Sequence, residues 1–265
     1  MKYIILLTLL VFELTAAMIR TPLVSFDSKT ESGQIKVDKI DVGVSGFLVH
    51  KIAEDHTSIL KNVHVIAFDP KTKIATIKME DFNALRNNAL PTGEWKPTVG
   101  DSVELAFGYS RALLIAPSEE IYHQITRSVR IQWVHVDIFA TIISYRGHPT
   151  PLKEDFEAMS IASSVGLLFV YLDKKLYTLD IKTFSILDIS DAPLVQDTTQ
   201  LPFYSRIEKI EANWFGEGSD EMEDYAPHYY ELLVTYNPKN KKLYESIKNG
   251  DEKLHYLLEK FEIGE

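Results

Sequence analysis

From Gln34 to Phe107, apolar and polar positions alternate in short runs broken by turn residues. Ile35, Val37 and Ile40 lead into the run Val42 to Val49. Asn62 to Phe68 and Lys73 to Lys78 flank Asp69-Pro70-Lys71-Thr72, the composition of a hairpin turn. Pro97-Thr98-Val99-Gly100-Asp101 then turns the chain into Ser102 to Phe107. Five or six short strands with few helical periods predict a small β-barrel.

Around Gly108 the pattern changes. Arg111 to Ala116 is a continuous apolar run, the sign of a strand buried on both faces. Ser118 is placed to cap a helix with Glu119 and Glu120 in its first turn. Trp133 to Tyr145 has mixed spacing that fits helix or strand. Thr150 with Pro151 reads as a second helix start. Gly166 to Leu172 and Leu176 to Asp180, joined by Asp173-Lys174-Lys175, read as a hairpin. Residues 190–224 are loop-rich, with one strand-like run from Tyr204 to Ile210. Tyr225 to Tyr236 and Lys239 to Phe261 read as helices parted by Asn237-Pro238, the second with a stripe of Leu243, Ile247, Leu254, Leu257, Leu258 and Phe261. The fold class expected is α+β: a small N-terminal β-barrel over 18–107, an α/β domain over 108–236, and a C-terminal helix over 237–265.

Residues 1–17, MKYIILLTLLVFELTAA, stand apart. Lys2 gives a positive start, Ile4 to Phe12 an apolar run, and Thr15-Ala16-Ala17 small residues at a cleavage site. This is the layout of a secretory signal peptide. Export to the periplasm or cell surface is expected, with no membrane span after cleavage.

Composition narrows the chemistry. The 265 residues include no cysteine, which excludes disulfides, thiolate metal sites and cysteine nucleophiles. A net charge of −10 lacks the basic footprint that nucleic acid demands. No phosphate loop, no His-Glu-x-x-His and no Gly-x-Ser-x-Gly occurs, so neither a cofactor nor an enzymatic activity is expected. Gly43-Val44-Ser45-Gly46 comes nearest to a nucleophile motif. It lies inside a strand run, where glycines serve a bulge or tight curvature. His135 and Asp137 would share a face in a strand but not in a helix.

Charge is unevenly spread. Glu211 to Asp224 carries Glu211, Glu217, Asp220, Glu221, Glu223 and Asp224 with no lysine or arginine. Three readings stay open: a solvated loop entering a helix, a calcium site outside the EF-hand spacing, or a surface for a basic partner. Six of the thirteen tyrosines lie at or after Tyr225, which suits helix packing or an interface.

Four blocks carry a resemblance: Arg111 to Pro117, Trp133 to Ala140, Pro149 to Phe156, and Leu201 to Arg206 running on to Trp214-Phe215. In this order they resemble the plasminogen-binding protein N-terminal domain family, exported proteins of Campylobacter- and Helicobacter-type bacteria. The resemblance covers roughly Gln34 to Leu233. It implies an exported non-enzymatic binding protein whose partner is host plasminogen, taken through kringle domains that hold a lysine ammonium together with a carboxylate. The last residue is Glu265 and not a lysine, so internal lysines beside acids are the candidates: Lys253 near Glu252, and Lys260 near Glu259 and Glu262. The alternative is a periplasmic structural component of an envelope assembly such as the flagellar motor, with periplasmic proteins as partners.

Overall fold

The structure, a computed structural model, describes residues 18–82, 95–195 and 198–263. The signal-peptide reading of residues 1–17 lies outside them. The alternating half of the sequence forms six antiparallel strands: β1 (Ile19–Asp27), β2 (Ser32–Lys36), β3 (Ser45–Ala53), β4 (His56–Asp69), β5 (Ile74–Asp81) and β6 (Ser102–Leu105). They close into a barrel in the order β1-β2-β5-β4-β3-β6. Period two sends Ala75, Ile77 and Met79 of β5 inward beside Leu23, Ile35, Leu48 and Val103, while their neighbours meet solvent. Closure brings β3 against β6 so tightly that a Cβ on Gly46 would stand 2.0 Å from the Glu104 carbonyl oxygen. The glycine is therefore a packing requirement of closure.

Two hairpin turns share one chemistry. In Asp69-Pro70-Lys71-Thr72 the Asp69 carboxylate accepts from the Lys71 amide at 2.9 Å and the Thr72 hydroxyl at 2.8 Å. In Asp27-Ser28-Lys29-Thr30 the Asp27 carboxylate accepts from Lys29 and Thr30 in the same way. Each turn closes on a residue with positive φ, Lys73 and Glu31. These hydrogen bonds hold both carboxyls below the usual carboxylate range. β1 and its turn precede the alternating run that starts at Gln34 and lie within the 18–107 span expected for the barrel.

The second sheet runs β11-β10-β9-β7-β8, from β7 (Arg111–Ile115), β8 (Gln132–Trp133), β9 (Leu167–Leu172), β10 (Lys175–Asp180) and β11 (Ile186–Asp191). β7 is parallel to β8 and β9; the other pairs are antiparallel. Both apolar runs, β7 and β9, are buried, as strands covered on two faces require. Helices α1 (Glu119–Ser128), α2 (Val136–Arg146) and α3 (Lys153–Ser163) connect them. After the acidic stretch come α4 (Tyr225–Tyr236), α5 (Lys241–Lys248) and a 3-10 helix (Glu252–Lys260). Phe139 of α2 stacks on Phe156 of α3 at 4.5 Å, and Tyr230 of α4 meets Tyr177 of β10 edge-on at 6.1 Å. The Tyr225 hydroxyl donates to the Tyr171 carbonyl at 3.0 Å and fixes α4 to β9.

Local signals held at Ser118, whose hydroxyl receives the Ile121 amide. Elsewhere tertiary structure overrode them. Thr150 does not cap α3; its amide and hydroxyl are spent on the carbonyls of Gly218 and Asp220. Instead α3 begins at Lys153, and Asp155 reaches back to the Leu152 amide at 2.7 Å. The run Tyr204 to Ile210 forms no strand, because Ser205 and Arg206 wrap round Asp137. The single C-terminal helix expected from Lys239 divides at Asn249-Gly250-Asp251, with Asp251 capping the 3-10 helix through the Lys253 amide.

Candidate functional site

Buried carboxylates are the usual starting point for chemistry, so their partners matter first. Asp180, at the end of β10, is wholly buried. One of its oxygens accepts from the Ser45 hydroxyl at 2.6 Å, the Ser45 amide at 2.9 Å and the Tyr109 hydroxyl at 2.8 Å. The other accepts the amides of Lys182 and Thr183, each at 2.9 Å. Burial and the adjacent carboxylate push the Tyr109 phenol far up, which keeps it a donor. Thr183 then donates to the Gly43 carbonyl at 2.7 Å. The motif Gly43-Val44-Ser45-Gly46 is thus the place where the barrel is bolted to the second sheet. Lys182 lies 3.9 Å over the Phe47 ring at this junction, and burial draws its pKa down.

Asp155 is likewise buried and takes Arg146 Nε at 2.6 Å, His148 Nδ1 at 2.9 Å and the Leu152 amide. Ligand atoms of His148, Glu154 and Asp155 lie within 4.8 Å of one another, a spacing a metal ion could use. The Arg146 guanidinium already supplies the cation there, bonded to both Asp155 and Glu154. The His135–Asp137 pair belongs to a helix start: His135 Nδ1 accepts the Asp137 amide at 3.2 Å and caps α2. Asp137 binds Arg206 Nε at 2.7 Å and the Ser205 hydroxyl at 3.2 Å. Burial lowers the His135 pKa, which favours the neutral, accepting ring. Each of these acids is consumed by scaffold donors.

The two lysines proposed from sequence differ. Lys260 forms an ion pair with Glu231 and ties the 3-10 helix to α4. Lys253 is exposed, and among the described residues no carboxylate stands within ion-pair distance of it. In a 3-10 helix, residues three apart eclipse. Leu254 and Leu257 consequently point inward together, while Lys253, Tyr256 and Glu259 form one exposed row of cation, aromatic ring and acid. Tyr256 is 50% exposed. The three-residue spacing of Leu254 and Leu257 was the available signal for this row, and helical periodicity hid it.

The acidic stretch is exposed but anchored. The Glu211 amide donates to Ser144 Oγ at 3.0 Å, the Asn213 side chain to the Arg146 carbonyl at 2.7 Å, and the Asn213 amide to Gly147. Glu217, Asp220, Glu221, Glu223 and Asp224 all face solvent. Glu217 borders a shallow groove of about 240 Å³ with Glu154, Glu157, Lys153 and Tyr236. Composition alone did not single out the aromatic side chains here: Trp214 is 100% exposed, Phe215 87%, and Tyr145 of α2 93%. Among the described residues no helix is long and apolar enough to cross a membrane.

Comparison with known proteins agrees with the block resemblance. The family described as plasminogen-binding protein PgbA, N-terminal, matches residues 18–233. Two curated relatives, the plasminogen-binding proteins PgbA of Helicobacter pylori strains J99 and 26695, are each 30% identical over 200 residues. The match takes in 74% of this chain but only 43% and 42% of theirs, so the chain spans less than half the length of these relatives. No solved structure matches.

Proposed function

Because this chain belongs to the PgbA N-terminal family, we propose that it is an exported, non-catalytic protein-binding module that captures plasminogen through internal lysine. The observation that carries this reading is the exposed row Lys253, Tyr256 and Glu259 on the 3-10 helix. A kringle pocket that takes an ammonium and a carboxylate is offered both by this row, with an aromatic ring between them. Glu252, the acid next to Lys253 in sequence, lies about a third of a turn round the helix from this row. We place Lys253 ahead of Lys260 as the ligand, because the Lys260 ammonium is paired with Glu231. Support for a non-catalytic role comes from Asp180, Asp155 and Asp137, whose lone pairs are spent on fold-building donors.

The test is capture of soluble plasminogen by the immobilised chain, with and without a free lysine analogue. Capture that the analogue displaces supports the reading; no capture, or capture indifferent to the analogue, sinks it. Surface display is tested separately by adding protease to intact cells, where complete protection of the protein rules out surface exposure. The second reading, docking into a periplasmic envelope assembly, draws on the solvent-exposed Trp214-Phe215 pair.

A further inference from the structure

We propose that the loop 211–224, together with Tyr145 of α2, is a docking face for a cationic protein segment bearing arginine or lysine side chains. It goes beyond the plasminogen reading, which rests on the 3-10 helix and a lysine offered by this chain. Here the chain offers the opposite chemistry.

Three large aromatic rings stand in water: Trp214, Phe215 and Tyr145. Single exposed apolar residues are ordinary, but neighbouring aromatics left open mark interaction surfaces. The loop that carries two of them is held in place. Ser144 and Arg146, on either side of Tyr145, both accept hydrogen bonds from it. Thr150 donates to the carbonyls of Gly218 and Asp220 at 3.1 and 2.7 Å. Gly218 has φ +80, and a Cβ there would stand 2.9 Å from the Thr150 carbonyl oxygen, so only glycine lets the loop sit this close. An anchored loop loses little entropy on binding. Its rings are presented rather than merely uncovered.

Charge selects the occupant. Glu211, Glu217, Asp220, Glu221, Glu223 and Asp224 share the loop with two of the rings, and no lysine or arginine lies between 211 and 224. The neighbouring cations are engaged: Arg146 by Glu154 and Asp155, Lys153 by Glu157, and Lys209 by Glu211 at 3.9 Å. Glu154 and Glu157 extend the acidity along the groove beside Glu217. A second copy of this face, a nucleic acid or an anionic bilayer would all meet like charge. Guanidinium and ammonium groups stack on tryptophan and tyrosine faces, their aliphatic stems cover apolar rings, and carboxylates complete the pairing.

The experiment is fluorescence anisotropy of a short labelled peptide of alternating arginine and glycine, titrated with the purified chain. A peptide with glutamine for arginine is the control. The arginine peptide is expected to bind, to weaken as salt rises, and to exceed the glutamine peptide by at least roughly tenfold. The double variant Trp214→Ala/Phe215→Ala is expected to lose about tenfold in affinity while keeping its thermal midpoint. Glu217→Gln/Glu221→Gln/Glu223→Gln is expected to weaken binding and flatten its salt dependence. Failure of the wild-type chain to bind, equal binding of the glutamine peptide, or undiminished binding by the aromatic variant overturns the proposal. Plasminogen capture by the aromatic variant is expected to persist; its loss would merge the two faces and overturn their separation.

Discussion

The Ser45 hydroxyl lies 2.6 Å from the Asp180 carboxylate across 135 positions of sequence, and this contact joins the barrel to the second sheet. Tyr109 and the Ser45 amide converge on the same oxygen. A buried anion is tolerable only where donors replace its water, and here five surround it at 3 Å or less.

Removing that anion should strand its donors. Asp180→Ala is expected to destabilise the protein by about 3 kcal/mol, the scale for leaving buried polar groups unpaired. For a chain of this size that is a fall of about 6–12 °C in thermal midpoint. Calorimetry checks it, and a fall under a degree would show that the junction contributes little.

Two glycines separate crowding from backbone strain. Gly46→Ala places a Cβ against the Glu104 carbonyl, so the mutant barrel is expected not to close and the protein to be recovered unfolded. Gly100 has φ +99 with nothing within 4 Å of its would-be Cβ. Gly100→Ala is therefore expected to cost only about 1–2 kcal/mol of backbone strain. Circular dichroism melts of both variants make the comparison. Equal effects would contradict it.

Acid should act first through histidine. Burial lowers the pKa of His64, His135 and His228 in the folded protein below the ordinary value of 6.5. A lowered folded pKa means that the neutral ring is the stabilised form. Its contribution is complete above pH 6.5 and is lost as pH falls from there toward the folded pKa. Thermal midpoints measured from pH 8 down to pH 5 should begin to drop near pH 6.5. His228 donates through Nε2 to the Pro151 carbonyl at 3.0 Å, so His228→Gln, which keeps a donor without titrating, should flatten the decline.

Gly218→Ala tests the anchoring of the acidic loop. With the Thr150 carbonyl 2.9 Å from the new methyl, the loop is expected to lift and its cleavage by added protease to accelerate. Cleavage within 211–224 at the wild-type rate would show that the loop does not need this contact.

What sequence revealed and concealed follows from how local each cause is. The β7 run, the Asp69-Pro70 hairpin and the Ser118 cap were legible because residues close in sequence determine them. Thr150 had the composition of a cap, but its hydroxyl serves Asp220, 70 positions away. His135 lies outside the common capping residues, so the boundary between β8 and α2 stayed open. The Ser45–Asp180 junction left no trace at all in local pattern. Among the candidate binding residues, the acidic stretch could be read from composition alone. The exposure of Trp214 and Phe215 could not, because aromatics are more often buried than displayed. Likewise, Lys253 and Lys260 look alike in sequence and differ only through Glu231.

The proposed ligand for plasminogen is Lys253 on the 3-10 helix. The most direct test is the equilibrium affinity of plasminogen for the wild-type chain, Lys253→Ala and Lys260→Ala, measured side by side. Lys253→Ala is expected to weaken binding by about tenfold or more, as loss of a central anchor does. Lys260→Ala removes a surface ion pair with Glu231 and is expected to stay within about threefold of wild type. Wild-type affinity in Lys253→Ala would overturn that assignment.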